Sequence, residues 1–254
     1  MLNKHYTKSS TTFSLKSTID QKRVITMMND KRQLNRLQSN RNLFVTTEET
    51  YRGMPLIKRY QPYIVNYLDS LDSTIQSALT DHSRILAIRL DLHFPVCYAK
   101  PDSICVSVIS RFIDSFKAMI KSLKERTKQQ GKRFHDTNVH YSWVREVGDR
   151  FSNEHFHLVI YLNGQTFKAL GAIDIAAPGL YGMVSRAWAS ALKLSLSEAQ
   201  GLVHVPDYCT YELRRDQPYS ELFTRVSYFA KVNTKEYQNG KHAFGCSRPS
   251  RALL

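Results

Sequence analysis

Two histidines stand two residues apart in His155-Phe156-His157-Leu158-Val159-Ile160-Tyr161-Leu162. In an extended strand, alternate side chains project from one face. The two imidazoles therefore lie side by side while Phe156, Leu158, Ile160 and Leu162 point the other way, into a core. Two imidazoles on one face are half of a metal site; two exposed strand histidines are the plainer reading. Glu146, nine residues upstream on a preceding strand, is the third ligand within reach. Across an antiparallel pair, facing side chains sit within about 5 Å, which would close a His-His-Glu set. Glu154, next to His155, is expected on the opposite side. Asp91 and His93, on an earlier strand, are alternative ligands or partners that orient the ligands.

The second chemical feature is Tyr228-Phe229-Ala230-Lys231, the only Tyr-x-x-Lys in the chain. On a helix, a spacing of three puts both side chains on one face, about 5 to 6 Å apart at Cβ. A phenol is a poor nucleophile at neutral pH, and a neighbouring ammonium is expected to favour its phenolate.

These residues need a scaffold. Leu86, Ile88, Leu90 and Leu92 alternate with Ala87, Arg89, Asp91 and His93, which predicts a strand with one apolar and one polar face. Residues 103–130 carry Ile109, Phe112, Ile113, Phe116, Met119, Ile120 and Leu123 at helical spacing and stop at Gly131. Strands are predicted at about 138–147 and 155–162, paired as a hairpin across Gly148–Asn153. A helix follows over 181–194, a short strand over 201–206 and a helix over 221–235. A further amphipathic helix runs from Pro55 to about Leu79, bent or split at Pro62. The order strand, helix, strand, strand, helix, strand predicts an α+β fold: an antiparallel sheet in the split βαβ (ferredoxin/RRM-like) arrangement, with helices packed on one face. The expected organisation is a flexible basic arm over 1–50, a helical lead-in over 51–80 and a catalytic domain over 81–254.

The charge points to a polyanion. Lys and Arg number 36 against 22 Asp and Glu, a formal net of +14. Nine basic residues against Asp20 and Asp30 give residues 1–45 a net of +7, in a stretch too polar to offset its ordering entropy. With 42% hydrophobic residues the chain can bury a core. No window has the apolar length of a membrane span, no secretory leader is evident, and the four cysteines form no CxxC pair. A cytoplasmic protein without a membrane partner is expected. Arg145, Arg150, Arg214, Arg215, Arg225, Lys235, Lys241 and Arg248, interleaved with Tyr208, Tyr211, Tyr219 and Phe244, suit phosphate contacts and base stacking.

As an ordered set, the His-hydrophobe-His strand, the preceding Glu strand and the downstream Tyr-x-x-Lys helix resemble the HUH endonuclease superfamily. The tracts Arg89-Leu90-Asp91, Trp143-Val144-Arg145-Glu146, His155 to Tyr161, Ser227 to Lys231 and Phe244-Gly245-Cys246-Ser247-Arg248 look like the inovirus and prophage replication-initiator family, the phage gene 2 product type. This resemblance covers roughly residues 80–250 and leaves the basic arm aside. It implies an HUH fold and site-specific nicking of single-stranded or supercoiled origin DNA for rolling-circle replication. Tyr228 would attack the scissile phosphate and become linked to the 5′ phosphate, assisted by Lys231. His155, His157 and Glu146 would hold one divalent cation, Mg²⁺ or Mn²⁺. Arg145, Arg150, Arg225, Lys235 and Arg248 would contact DNA, and a host replication helicase or polymerase would be a further partner. Related two-tyrosine initiators carry a second phenol one turn away; here Thr224 and Val232 stand at those positions. The chain has no His-Glu-x-x-His, and Val159 stands where the His-x-His-x-Asp-His hydrolases place Asp, so a metalloprotease or such a hydrolase fits poorly. The remaining alternatives are a non-catalytic, prophage-derived nucleic-acid-binding protein, and a relaxase or transposase with the same chemistry.

Overall fold

A computed structural model describes residues 35–95, 104–147, 154–235, 237 and 242–249, with the side chains of 107 onward in the second segment. The elements in chain order are β1 (Asn35–Leu37), β2 (Asn40–Thr46), β3 (Thr50–Tyr51), β4 (Met54–Pro55), a 3-10 turn (Lys58–Tyr60) and β5 (Tyr63–Ile64). Next come α1 (Val65–Asp81), β6 (Arg84–His93), α2 (Ile104–Gln129), β7 (His140–Val147), β8 (Glu154–Asn163) and α3 (Leu180–Leu192). The chain closes with β9 (Val203–His204), β10 (Thr210–Arg214), α4 (Ser220–Ser227), a second 3-10 turn (Tyr228–Ala230) and β11 (Phe244–Cys246). The fold is α+β, with antiparallel sheets.

The central sheet runs β10-β6-β8-β7-β11, with β9 also on β6, and every pairing is antiparallel. Its long strands follow from alternation of branched and aromatic residues with period two. Leu86, Ile88, Leu90, Leu92, Phe156, Leu158, Ile160 and Leu162 meet Phe112, Phe116, Val184 and Trp188 of α2 and α3 in one core. α2 ends where Gly131 takes φ +68°, a left-handed value that costs glycine little. On β11, Gly245 lies under the Trp143 ring; a Cβ there would come within 2.5 Å of Cζ2.

A second core fills the opposite face. Ile85, Ala87, Val144, Val159 and Tyr161 pack against Leu68, Leu71 and Ile75 of α1 and Leu222, Phe223 and Val226 of α4. Helices thus cover both faces of the sheet, which corrects the one-face expectation. In the sequence, the Ala87-Arg89-Asp91-His93 side of β6 looks solvated because its charges dominate. In the fold, those charges lie under a second helical layer.

The first fifty residues also differ from the expected arm. Residues 1–34 lie outside the described residues, but Asn40–Thr46 is a strand, with Val45 and Thr46 opposite Ile64 and Tyr63 and the Phe44 amide donating to Asn66 Oδ1 at 2.8 Å. These partners are distant in sequence, so no local pattern announces them. The lead-in becomes α-helical only at Val65, beyond Pro62, whose ring nitrogen offers no amide hydrogen. The C-terminal helix stops at Ser227, giving way to the 3-10 turn, short of the expected 235. Among the described residues, no helix is long and apolar enough to cross a membrane.

Candidate functional site

Strand register assembles the site. On β8, His155 faces Glu146 of β7 on one side and His93 of β6 on the other, while His157 faces Asp91. Pleat parity puts all five on the face covered by α1 and α4. One donor atom each from Glu146, His155 and His157 lies within 4.8 Å of the others. His155 Nε2 is 3.3 Å from His157 Nε2, which in turn is 3.4 Å from Glu146 Oε2. Neighbouring ligands of a six-coordinate Mg²⁺ stand about 3 Å apart, so this spacing fits one divalent cation, and the mixed imidazole and carboxylate donors suit Mn²⁺.

Asp91 acts through His157. Its Oδ1 is 2.6 Å from His157 Nδ1, which fixes the ring and leaves Nε2 toward the donor set. Asp91 is therefore an orienting partner, the second of its two expected roles. His93 stacks on His155, ring centroids 5.4 Å apart, outside the donor set.

The tyrosine and its lysine reach the same place. Tyr228 starts the 3-10 turn in which the Lys231 amide bonds the Tyr228 carbonyl. In 3-10 geometry residues three apart eclipse, so the pair meets without the longer helix expected from the sequence. Lys231 Nζ donates to the Tyr228 hydroxyl oxygen and stands 3.0 Å from Glu146 Oε2. The Tyr228 hydroxyl donates to the same Oε2 at 3.2 Å. The Tyr228 ring packs edge-on against His157 at 5.2 Å and against Tyr60 at 4.9 Å. The Tyr228 hydroxyl is thus in direct contact with one of the three candidate metal donors.

The electrostatics follow from burial and pairing. Burial alone would raise the Glu146 carboxyl; His157, Lys235 and Lys231 instead hold it well below the usual carboxylate range. Asp91 behaves likewise, drawn down to about 2 by its bond to His157 and the charge of His157 and Arg89 against burial. His157, although buried, is held above its ordinary value by Asp91 and Glu146. Tyr228 departs from the expectation: burial and the Glu146 charge push its phenol up, so the neutral phenol is favoured even beside Lys231. The cause is the acceptor, because the hydroxyl proton points at a carboxylate.

The expected DNA contacts divide. Arg145 is buried and pairs with Glu154 at 2.7 Å; one residue before Glu146, it falls on the opposite face and is no surface contact. Glu154 lies there too, as expected. Lys235 has a fully buried side chain and binds Glu146 Oε1 at 3.0 Å, burial drawing its ammonium down to about 8. It belongs to the site's interior, not to a DNA-facing surface. Arg225 donates to the Asp207 carbonyl at 3.0 Å, and Arg248 is exposed. Arg150 and Lys241 lie outside the described residues. Arg215 caps α1 through the Leu79 and Thr80 carbonyls. Among the aromatics, Tyr219 bonds Asp72 at 2.6 Å and Phe244 stacks on Tyr67 at 4.3 Å; Tyr208 is 86% exposed. Tyr60 and Arg89 also border Tyr228; remoteness leaves Tyr60 no signal in the sequence, whereas the place of Arg89 two residues before Asp91 is one.

The sequence model of the family described as YagK/YfjJ C-terminal domain matches residues 46–247. The uncharacterized protein YagK of Escherichia coli (strain K12) is 30% identical over 211 residues, which cover 79% of this chain and 98% of that protein. The uncharacterized protein YfjJ of the same strain is 33% identical over 196 residues, covering 72% of this chain and 93% of YfjJ. No solved structure matches the chain.

Proposed function

The chain belongs to the YagK/YfjJ C-terminal domain family, and from its site we propose that it is a metal-dependent DNA endonuclease and strand transferase of the HUH kind. In this reading it nicks single-stranded or supercoiled origin DNA through Tyr228 and starts rolling-circle replication of a phage or prophage. One observation carries it: the Tyr228 hydroxyl is hydrogen-bonded to Glu146, itself a member of the His155, His157 and Glu146 donor set. Support for the finer fold comes from the strand order β9-β6-β8-β7, with α2 and α3 as the two crossovers, as in a split βαβ arrangement.

His155, His157 and Glu146 would hold one Mg²⁺ or Mn²⁺, which supplies Lewis-acid polarisation of the phosphate. Asp91 keeps His157 in the ligating orientation. The Tyr228 oxygen attacks phosphorus in line, a Tyr228–phosphorus bond forms and the bond from phosphorus to the 3′ oxygen breaks. Overall, the phenolic proton ends on the departing 3′ oxygen, and the 5′ phosphate stays on Tyr228. Lys231 stabilises the phenolate oxygen as the proton leaves. With Glu146 engaged as a ligand, its charge opposes that ionisation less. The phosphotyrosine conserves the bond energy for later rejoining, and the free 3′ hydroxyl primes synthesis, the step at which a host helicase or polymerase would act.

A second reading, a non-catalytic nucleic-acid-binding protein on the same sheet, is favoured by the lysine ammonium groups that already engage both Glu146 oxygens. One experiment separates the two. The full chain is incubated with Mn²⁺ and DNA from its own genetic element, single-stranded and supercoiled, and products are resolved under denaturing conditions. Nicking is expected to leave a covalent protein-DNA adduct, absent in Tyr228→Phe and with chelator. DNA binding with no adduct in the unaltered protein would support the second reading.

A further inference from the structure

The site face carries a cation that neither the metal set nor the tyrosine-lysine pair uses. Arg89 precedes Asp91 by two residues on β6, so its side chain shares that face, and only 8% of the residue is exposed. One terminal guanidinium nitrogen is 3.2 Å from Asp91 Oδ1 and 3.3 Å from His157 Nδ1. The guanidinium carbon lies 5.9 Å from the centre of the Tyr228 ring. Its Nε is buried and, among the described residues, has no hydrogen-bond partner. A buried donor without an acceptor is unfavourable, and a bound species is one means of completing it.

Charge identifies the missing species. With the imidazoles counted as neutral, as metal ligation requires, Arg89, Lys231 and Lys235 contribute three positive charges to the cluster and Asp91 and Glu146 two negative ones, leaving a surplus of one positive charge before any metal is added. Asp91 is already shared: its Oδ1 binds His157 and its Oδ2 lies 3.4 Å from His204. An anion from outside the fold, placed beside the Tyr228 ring, would supply the acceptor that Arg89 Nε lacks and offset that surplus.

We propose that Arg89 is a further catalytic residue, donating to a non-bridging oxygen of the phosphodiester that Tyr228 attacks. This rests on the nicking reading and extends it to the group that holds the substrate phosphate. A guanidinium suits the task because its planar fork matches two phosphate oxygens and stays charged at any working pH. Mounted on a central strand, it is set before substrate arrives and stabilises charge as it develops on the phosphoryl oxygens.

The test uses the full chain, Arg89→Gln and Arg89→Lys, single-stranded DNA from its own genetic element, and Mn²⁺. Three quantities are measured: Mn²⁺ affinity without DNA, DNA affinity with Mn²⁺, and the rate of covalent adduct formation; thermal unfolding checks each variant. Arg89→Gln is expected to bind Mn²⁺ within about twofold of the unaltered protein and to form adduct about 100-fold more slowly. Arg89→Lys, which keeps the charge without the fork, is expected to recover part of that loss, remaining about tenfold slow; it also stands in should the glutamine variant not fold. Adduct rates within about twofold in both variants overturn the proposal. A fall in Mn²⁺ affinity matching the fall in rate also overturns it, making Arg89 a positioning residue that acts through Asp91. If the unaltered protein forms no adduct, the nicking reading fails, and the anion contact is judged by DNA affinity alone. A loss of about tenfold in Arg89→Gln then supports the contact, and unchanged affinity overturns it.

Discussion

The two faces of the central sheet are made by the same strands to different ends. Toward α2 and α3, β6 and β8 present Leu86, Ile88, Leu90, Leu92, Phe156, Leu158, Ile160 and Leu162, and the face is apolar along its length. Toward α1 and α4 the same strands carry core residues at one end, Ile85, Ala87, Val159 and Tyr161, and Arg89, Asp91, His157 and His155 at the other. Burial does not distinguish the faces: Asp91 and His157 are nearly as enclosed as the leucines beside them. What differs is how burial is balanced. One face is stabilised by apolar area removed from water; on the other, carboxylates, imidazoles and cations compensate one another. That arrangement stabilises little in itself, but it sets the charge and orientation of the groups at the site.

If this division is right, damage to the two faces separates. Trp188→Ala, which empties a fully buried site between α2 and α3, is expected to lower the free energy of unfolding by about 3–5 kcal/mol in a denaturant titration. Arg145→Ala belongs with it, because it breaks the buried ion pair with Glu154, a loss of about 3–5 kcal/mol; a change confined to DNA affinity would return Arg145 to the DNA contacts. The double substitution His155→Ala, His157→Ala should instead weaken Mn²⁺ binding by more than about 100-fold in calorimetry while the unfolding midpoint shifts little. Asp91→Asn sharpens the comparison within the site: Mn²⁺ affinity is expected to fall about 10- to 100-fold, since the orienting acceptor is weakened and the ligands remain. The smallest effect is expected at Arg248, exposed and away from both cores. Arg248→Ala should lower single-stranded DNA affinity by less than about tenfold and reduce the salt slope by about one.

Much of the apolar face was legible in the sequence. The period-two runs of β6 and β8 and the helical spacing of Phe112, Ile113, Phe116 and Ile120 are local signals, and those elements fall within a few residues of their expected bounds. Parity along β8 and the hairpin register were enough to bring Glu146, His155 and His157 together, and the spacing of three joined Lys231 to Tyr228. The second helical layer was not legible, because the strand face it covers reads as solvated wherever a charge interrupts it. The pairings of β2 with β5 and β11 with β7 join distant segments, and no local pattern encodes them. Arg145 and Lys235 were read as DNA contacts because a basic side chain is ordinarily solvated. Parity could have corrected Arg145, which neighbours Glu146 and must point away from it. Nothing short of the fold shows that Lys235 turns inward onto Glu146.

The central claim is that a phenol and a metal-binding trio were brought onto one sheet face to transfer a phosphoryl group. It is tested most directly by mapping the linkage. The full chain is reacted with single-stranded DNA and Mn²⁺, digested with nuclease and protease, and the nucleotide-bearing peptide is identified by mass spectrometry. The expected result is one modified peptide containing Tyr228, carrying a 5′-phosphoryl nucleotide on its phenolic oxygen. A nucleotide linked to any other side chain, or DNA nicked with no linkage to protein, would contradict the account.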